Sequence, residues 1–223
     1  MEIIEYPDAD MMMLALAGKL ASDLRQALAV QEAVSFAVPG GTTPGPVFEA
    51  LAAVDLDWAR VHVMLTDERW VPEVSERSNT RLLRRKLLQD KAAAATLVPL
   101  YAEAPTPEDK LEELEAGIAA HLPLTVCLLG MGADMHTASI FPGADRLEDA
   151  LTGNGILVPM RAPGAEEPRV TLTARVLNGA MRRHILITGA EKRAALEKAR
   201  KLTPAEAPVA AILKGSVVHW AEN

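Results

Sequence analysis

The residues best suited to chemistry follow an apolar run that stops at Gly130: Asp134, His136, Thr137 and Ser139. Such a run is typical of a strand buried on both faces of a parallel sheet, and ligands of these sheets bind where strands end. Histidine exchanges a proton near neutral pH, and Asp134, two residues earlier, is placed to orient its ring. The pattern indicates a general base, although a loop histidine held by ordinary hydrogen bonds would look the same.

The elements that must position this loop alternate along the chain. Besides the run before Gly130, hydrophobic periodicity predicts strands at 3–6, 34–38, 61–66, 98–100, 156–160, 169–173 and 184–188. Helices are predicted from Asp8 or Asp10 to 31, from Ser78 to 88, from Thr106 to 120, and up to 202. Repeated strand–helix alternation predicts an α/β fold with a mostly parallel sheet.

Composition narrows the class of protein. The chain has 223 residues, 49% of them hydrophobic, which suits one globular domain spanning 1–223. A net charge of −7 argues against a nucleic-acid partner, so an anionic ligand must be held by local cations. We expect no membrane partner, because no signal peptide is evident and the apolar stretch 11–20 is too short for a bilayer. The single cysteine, Cys127, favours a reducing cytoplasm.

The stretch 130–143, hereafter the His136 loop, resembles the signature of the 6-phosphogluconolactonase family, G-x-G-x-D-G-H-T-A-S-L-F-P. Met135 stands where that family has glycine. If this position adopts a positive φ angle, methionine would strain the loop or force a different backbone path. The pair Gly130 and Gly132 is no dinucleotide fingerprint, because Met135 also occupies the third glycine position. No nucleotide cofactor is expected.

The segment 39–44, hereafter the Gly-Gly loop, is a candidate anion site. Two glycines permit a tight turn, and exposed amides at a helix N-terminus attract anions, although a lone glycine pair is more often an ordinary turn. Either threonine of the loop is expected to cap the next helix. The loop also resembles the family's S-G-G-x-T-P phosphate loop, with Pro39 replacing the serine. The resemblance implies phosphate binding through Gly40, Gly41 and Thr42.

A charged segment follows the third long strand. Asp67, Glu68 and Arg69 come in a row, which taken alone indicates a solvated turn and not core. With Ser78 and Asn79 they resemble the family pattern D-E-R-x-V-P followed by S-N. The resemblance implies that Asp67 contacts the substrate and that Arg69 holds phosphate or a developing oxyanion, for which a guanidinium is suited.

Two further cations are candidates for the phosphate. The segment P-R-V-T-L-T is again similar to the family, and it implies that Arg169 faces phosphate. Lys192 is indicated by its position at a helix start, where a positive charge opposes the helix dipole unless an anion offsets it.

Taken together, these segments identify the chain as a member of the 6-phosphogluconolactonase family, which implies the modified Rossmann-like, three-layer fold shared with glucosamine-6-phosphate deaminase and ribose-5-phosphate isomerase. The implied reaction is hydrolysis of a small-molecule sugar-phosphate lactone, 6-phospho-D-glucono-1,5-lactone. His136 is the implied general base, Asp134 supports its imidazolium, and Arg69, or the amides of the loop, stabilises the oxyanion. We expect a monomer or small homo-oligomer.

Two other mechanisms and two other functions are alternatives to this lactonase interpretation. A serine nucleophile is disfavoured because no G-x-S-x-G occurs and Ser139 has only proximity to recommend it. We expect no metal, because no histidine or cysteine stands at ligand spacing from His136. A glucosamine-6-phosphate deaminase or isomerase would share the phosphate loop and the histidine. A non-catalytic sugar-phosphate sensor is the rival from another class.

Overall fold

The computed structural model describes residues 1–223. Its strands are β1 (Glu2–Glu5), β2 (Val34–Val38), β3 (Val61–Leu65), β4 (Asp67–Arg69), β5 (Thr96–Val98), β6 (Val126–Gly130), β7 (Leu157–Met160), β8 (Arg169–Leu172), β9 (Arg182–Thr188) and β10 (Val217–Ala221). Its α-helices are α1 (Ala9–Leu28), α2 (Gly45–Ala52), α3 (Asn79–Lys86), α4 (Leu111–Ala119), α5 (Leu147–Thr152), α6 (Ala174–Asn178) and α7 (Ala190–Ala199). Four short 3₁₀ helices complete the chain, at Trp58–Arg60, Asp90–Ala94, Pro107–Lys110 and Pro208–Ala211.

Seven strands form one parallel sheet in the order β1-β10-β9-β6-β2-β3-β5. All five residues of β2 are buried, as expected for a strand covered on both faces by helices. The predicted α/β fold with a mostly parallel sheet is confirmed. Because β9, β6 and β2 are neighbours, the segments that follow them leave the sheet side by side. No helix is both long and apolar enough to cross a membrane.

A second sheet, with the order β4-β8-β7, is antiparallel and brings distant segments together. Its register places Arg69 opposite Arg169. The prediction that the charged segment 67–69 is a solvated turn is wrong, because this segment is β4. Asp67 is only 7% exposed and Glu68 is fully buried, since pairing with β8 covers them and nearby groups satisfy their carboxylates.

Three predicted helix starts are confirmed and one is wrong. Thr106 forms a capping box with Asp109 before the 3₁₀ helix Pro107–Lys110, which leads into α4. The Asp8 side chain accepts a hydrogen bond from the Met11 amide, and Ser78 accepts one from the Arg81 amide. The prediction that a threonine of the Gly-Gly loop caps α2 is wrong, because α2 begins at Gly45 and its N-cap position holds Pro44. Both threonines of the Gly-Gly loop therefore lie too early in the chain to cap it.

Candidate active site

A cleft with a volume of about 210 Å³ lies where β2, β6 and β9 end and where the antiparallel sheet approaches them. Seven of the predicted site residues line it: Gly40, Gly41, Asp67, Arg69, His136, Arg169 and Lys192. The structure places Asp134 behind His136 instead of on the cleft wall, and Thr43 in place of Thr42 on that wall. The parallel strands thus bring together most of the residues that the sequence singled out.

His136 is held by its own loop. Its Nδ1 lies 2.5 Å from Oδ1 of Asp134, and the same oxygen accepts the His136 backbone N–H at 3.1 Å. The hydrogen bond from His136 holds the pKa of Asp134 below its usual value. Because a carboxylate can only accept, Nδ1 carries the proton and Nε2 of the neutral ring is free to take one. Glycine at 132 makes room for the pair, since a Cβ there would lie 2.3 Å from ring atoms of His136.

The backbone around His136 adopts left-handed conformations. Met135 has φ = 67° and Ala138 has φ = 48°. Position 135 therefore keeps the left-handed conformation that suits glycine. Of the two predicted outcomes, methionine strains the backbone here and does not force a different backbone path. The Met135 side chain is 8% exposed, and its carbonyl accepts a hydrogen bond from the Val209 amide at 3.0 Å. Burial of this side chain offsets the backbone strain.

Ser139 has a structural role that excludes it as a nucleophile in this arrangement. It is fully buried, and its hydroxyl donates to Oδ2 of Asp67 at 2.5 Å. The Thr66 hydroxyl donates to the other oxygen of Asp67 at 3.2 Å. These two contacts orient a carboxylate that lines the cleft and has no cationic partner in ion-pair distance. Asp67 is thereby available to accept hydrogen bonds from ligand hydroxyls.

The cations of the cleft lack carboxylate partners. Arg69, Arg169 and Lys192 form no ion pair, although many other surface cations do. The Nε atoms of Arg69 and Arg169 are buried without a hydrogen-bond partner. Burial and then the nearby charge of Arg69 lower the pKa of Arg169. Like charges placed opposite each other on paired strands are unfavourable, so this arrangement favours a bound anion.

The Gly-Gly loop packs against a residue to which the sequence assigned no role. A Cβ at Gly40 would lie 2.1 Å from the Asn79 side chain, so only glycine fits there. Gly41 has φ = 82°, a conformation that glycine adopts at no steric cost. Asn79 itself lines the cleft and is 2% exposed. The family-like S-N pair was the only signal for it in the sequence.

Glu68 is the second residue that sequence reasoning missed. Its carboxylate accepts hydrogen bonds from the amides of Arg69, Asn79 and Thr80, all within 2.8 Å. The hydroxyls of Ser78 and Thr80 also donate to it. Burial raises the pKa of Glu68, while the bonds from Asn79 and Thr80 oppose that rise. Glu68 therefore joins β4 to the N-terminus of α3, and the family-like run of Asp67, Glu68 and Arg69 was the available signal for it in the sequence.

Comparison with known proteins identifies the family. Residues 7–220 match the family described as glucosamine-6-phosphate isomerases/6-phosphogluconolactonase. A 6-phosphogluconolactonase of Rhizobium meliloti is 42% identical, covering 99% of this chain and 98% of its own. The crystal structure of a 6-phosphogluconolactonase from Shewanella baltica has a TM-score of 0.96 at 30% identity, covering 99% of this chain and 97% of that one.

A monomeric glucosamine-6-phosphate deaminase is 15% identical, with a TM-score of 0.79 over 99% of this chain and 97% of that one, and shows the fold alone. The full-length family match and the lactonase relatives agree with the cleft described above. This chain belongs to the family of glucosamine-6-phosphate isomerases and 6-phosphogluconolactonases.

Proposed function

We propose that this protein hydrolyses 6-phospho-D-glucono-1,5-lactone to 6-phospho-D-gluconate, the lactonase step of the oxidative pentose phosphate pathway. The observation that carries the proposal is the His136–Asp134 pair in a cleft that also holds three cations without carboxylate partners. The relatives from Rhizobium meliloti and Shewanella baltica are 6-phosphogluconolactonases, and each covers 99% of this chain. We further propose that residues 1–223 work as one domain in the cytoplasm, as a monomer or small homo-oligomer.

The substrate phosphate binds to the positive part of the cleft. Lys192 and Arg169 supply charge, and Gly40 and Gly41 on the cleft wall supply backbone amides. The amide of Thr42, the next residue of the Gly-Gly loop, adds a further donor. Thr43, which lines the cleft, offers a hydroxyl from the same loop. Strong binding at the phosphate orients the rest of the sugar lactone over the His136 loop.

The reaction then needs one base and one oxyanion site. His136 removes a proton from water through Nε2 as the water oxygen bonds to the lactone carbonyl carbon. Arg69, or an amide of the loop, stabilises the oxyanion of the tetrahedral intermediate. When the intermediate collapses, the bond to the ring oxygen breaks and the His136 imidazolium donates its proton to that oxygen. Asp134 stabilises the imidazolium between these two transfers.

Two other functions would use parts of the same cleft. A deaminase or isomerase of glucosamine 6-phosphate would share the phosphate site, but the relatives at high identity are lactonases and the deaminase is similar only in fold. A non-catalytic sensor would bind the sugar phosphate without needing a base. The ordered His136–Asp134 pair favours a catalytic protein over a sensor that only binds the sugar phosphate.

The test is a direct comparison of two reactions on the purified chain. Lactone disappearance is followed by acid release, with the spontaneous hydrolysis rate subtracted, and ammonia release from glucosamine 6-phosphate is measured beside it. We expect lactone hydrolysis and no ammonia. Ammonia release without lactone hydrolysis would identify a deaminase, and tight binding of the sugar phosphate with neither reaction would identify a sensor.

A further inference from the structure

Phe141, near the end of the His136 loop, lines the cleft between two of its functional groups. The centroids of the Phe141 and His136 rings are 4.3 Å apart, with 32° between the ring planes. The Cζ atom of Arg169 lies 5.7 Å from the centroid of the same phenyl ring. One aromatic ring therefore contacts both the imidazole and the guanidinium.

The contact with His136 complements the one that Asp134 makes. Asp134 holds the imidazole at its Nδ1 edge, whereas Phe141 packs against its face. An edge contact and a face contact together restrict the orientation of the ring more than either does alone. The face of a benzene ring also carries partial negative charge, so it favours a cation beside it. Phe141 therefore favours the protonated imidazole over the neutral one.

The contact between Phe141 and Arg169 stabilises a buried charge. This guanidinium has no carboxylate partner, its Nε is buried without a hydrogen bond, and burial lowers its pKa. A cation within about 6 Å of a ring centroid is stabilised by the ring face. Phe141 thus compensates part of the charge of Arg169 before any phosphate binds.

The remaining charges around His136 come from several elements. Besides Asp134 of its own loop, the ionisable groups facing the same cleft are Asp67 and Arg69 on β4, Arg169 on β8 and Lys192 on α7. A substitution of Phe141 by another uncharged residue adds or removes no charged group in this cleft. A change in the titration of His136 would then report the loss of the aromatic ring together with the position of Arg169 that the ring holds.

We propose that Phe141 is a positioning residue, whose ring orients His136, stabilises its imidazolium during turnover and holds Arg169 for the phosphate. This inference rests on the proposed lactonase function, because it assigns to Phe141 a part in that reaction. It also makes a claim about His136 that is measurable without turnover.

The test compares Phe141→Leu, which keeps an apolar side chain, with Phe141→Tyr, which keeps the ring. For Phe141→Leu we expect kcat to fall about five- to tenfold and KM for the phosphorylated lactone to rise about two- to threefold. The acidic limb of the pH–rate profile should move about half a pH unit lower, because the imidazolium becomes less favourable. Phe141→Tyr should restore all three values.

Two controls separate this role from a loss of packing. Phe48→Leu removes a fully buried ring of α2, so it should lower the melting temperature without moving the acidic limb. The NMR titration midpoint of the His136 ring, assigned with His136→Gln, should fall in Phe141→Leu even without substrate. An unchanged midpoint overturns the inference, and so does a tyrosine variant no better than leucine. Absence of lactone hydrolysis by the wild-type chain would instead overturn the proposed function.

Discussion

At the scale of single residues, the reactivity of His136 depends on neighbours within its own loop. Asp134 fixes its tautomer, and the absence of a side chain at Gly132 leaves space for both groups. His136 is 30% exposed at its side chain, so little core packing depends on it. Its removal should therefore affect chemistry far more than folding.

The first prediction concerns this pair. His136→Ala should lower turnover by about a hundredfold or more, the usual scale for losing an acid–base group, with a normal melting temperature. Asp134→Asn should shift the acidic limb of the pH–rate profile to lower pH, because losing the carboxylate makes imidazolium less favourable. Both are measured with spontaneous hydrolysis subtracted. His121→Gln, outside the cleft, is the matched control, and near-normal turnover in His136→Ala would remove the assignment.

The second prediction concerns the unpaired cations. Arg169→Ala and Lys192→Ala should each reduce kcat/KM for the phosphorylated lactone by about 10- to 100-fold, the scale of a lost charge-assisted hydrogen bond. Hydrolysis of unphosphorylated gluconolactone should change little. Lys198→Ala provides the control, because this lysine lies exposed further along the same helix. Equal losses on both substrates would show that these residues do not bind phosphate.

At the scale of elements, the His136 loop combines strain with packing. The third prediction compares Met135→Gly with Met135→Ala. Loss of the buried side chain costs about 2–5 kcal/mol, whereas relief of the positive φ returns only about 1 kcal/mol. Both variants should therefore be less stable in denaturant unfolding, and glycine should be the more stable by about 1 kcal/mol. An alanine variant as stable as the glycine variant would contradict the strain at this position.

The junction of β4 and α3 supplies the fourth prediction. The Glu68 carboxylate accepts hydrogen bonds from three backbone amides and two hydroxyls. Glu68→Gln replaces one of the accepting oxygens by an NH₂ group, which would face these donors with its own N–H groups. The free energy of unfolding should fall by about 3 kcal/mol or more. Turnover should fall with it, since Arg69 and Asn79 lose their common anchor. Glu73→Gln, an exposed residue of the same region, should leave both quantities unchanged.

At the scale of the whole molecule, a buried chain of hydrogen bonds joins α1 to the sheet. Tyr6 Oη lies 2.8 Å from His219 Nδ1, His219 Nε2 lies 3.0 Å from His184 Nδ1, and His184 Nε2 lies 2.9 Å from Asp23. Lys19 donates to the other oxygen of Asp23. Since Asp23 only accepts, every donor in the chain points toward it while both imidazoles are neutral.

The fifth prediction follows from this chain. Burial, with the charge of His184, lowers the pKa of His219 to about 4, below the unfolded value of about 6.5. Between these two pH values the unfolded state binds more protons than the folded state does. The contribution of His219 to the free energy of unfolding is therefore fully present above pH 6.5 and is lost as the pH falls toward 4. The loss should reach a few kcal/mol in urea unfolding. His219→Gln should flatten the slope in this window, and equal slopes for both proteins would exclude His219 as its source.

The sequence by itself determined the features that depend on neighbours along the chain. Asp8 and Ser78 cap their helices because a cap contacts amides two or three residues away. Asp134 meets His136 for the same reason. The apolar runs predicted the buried parallel strands, and the polar residues after Gly130 predicted a site where one of these strands ends.

Only the tertiary structure decided which distant groups meet. Nothing local to the charged segment 67–69 indicates that it pairs with β8, yet this pairing buries Glu68 and places Arg69 opposite Arg169. The partner of Ser139 likewise lies far along the chain, at Asp67. The physical reason is that the burial and charge balance of a polar group depend on every segment packed around it, whereas a sequence pattern reports only its neighbours along the chain.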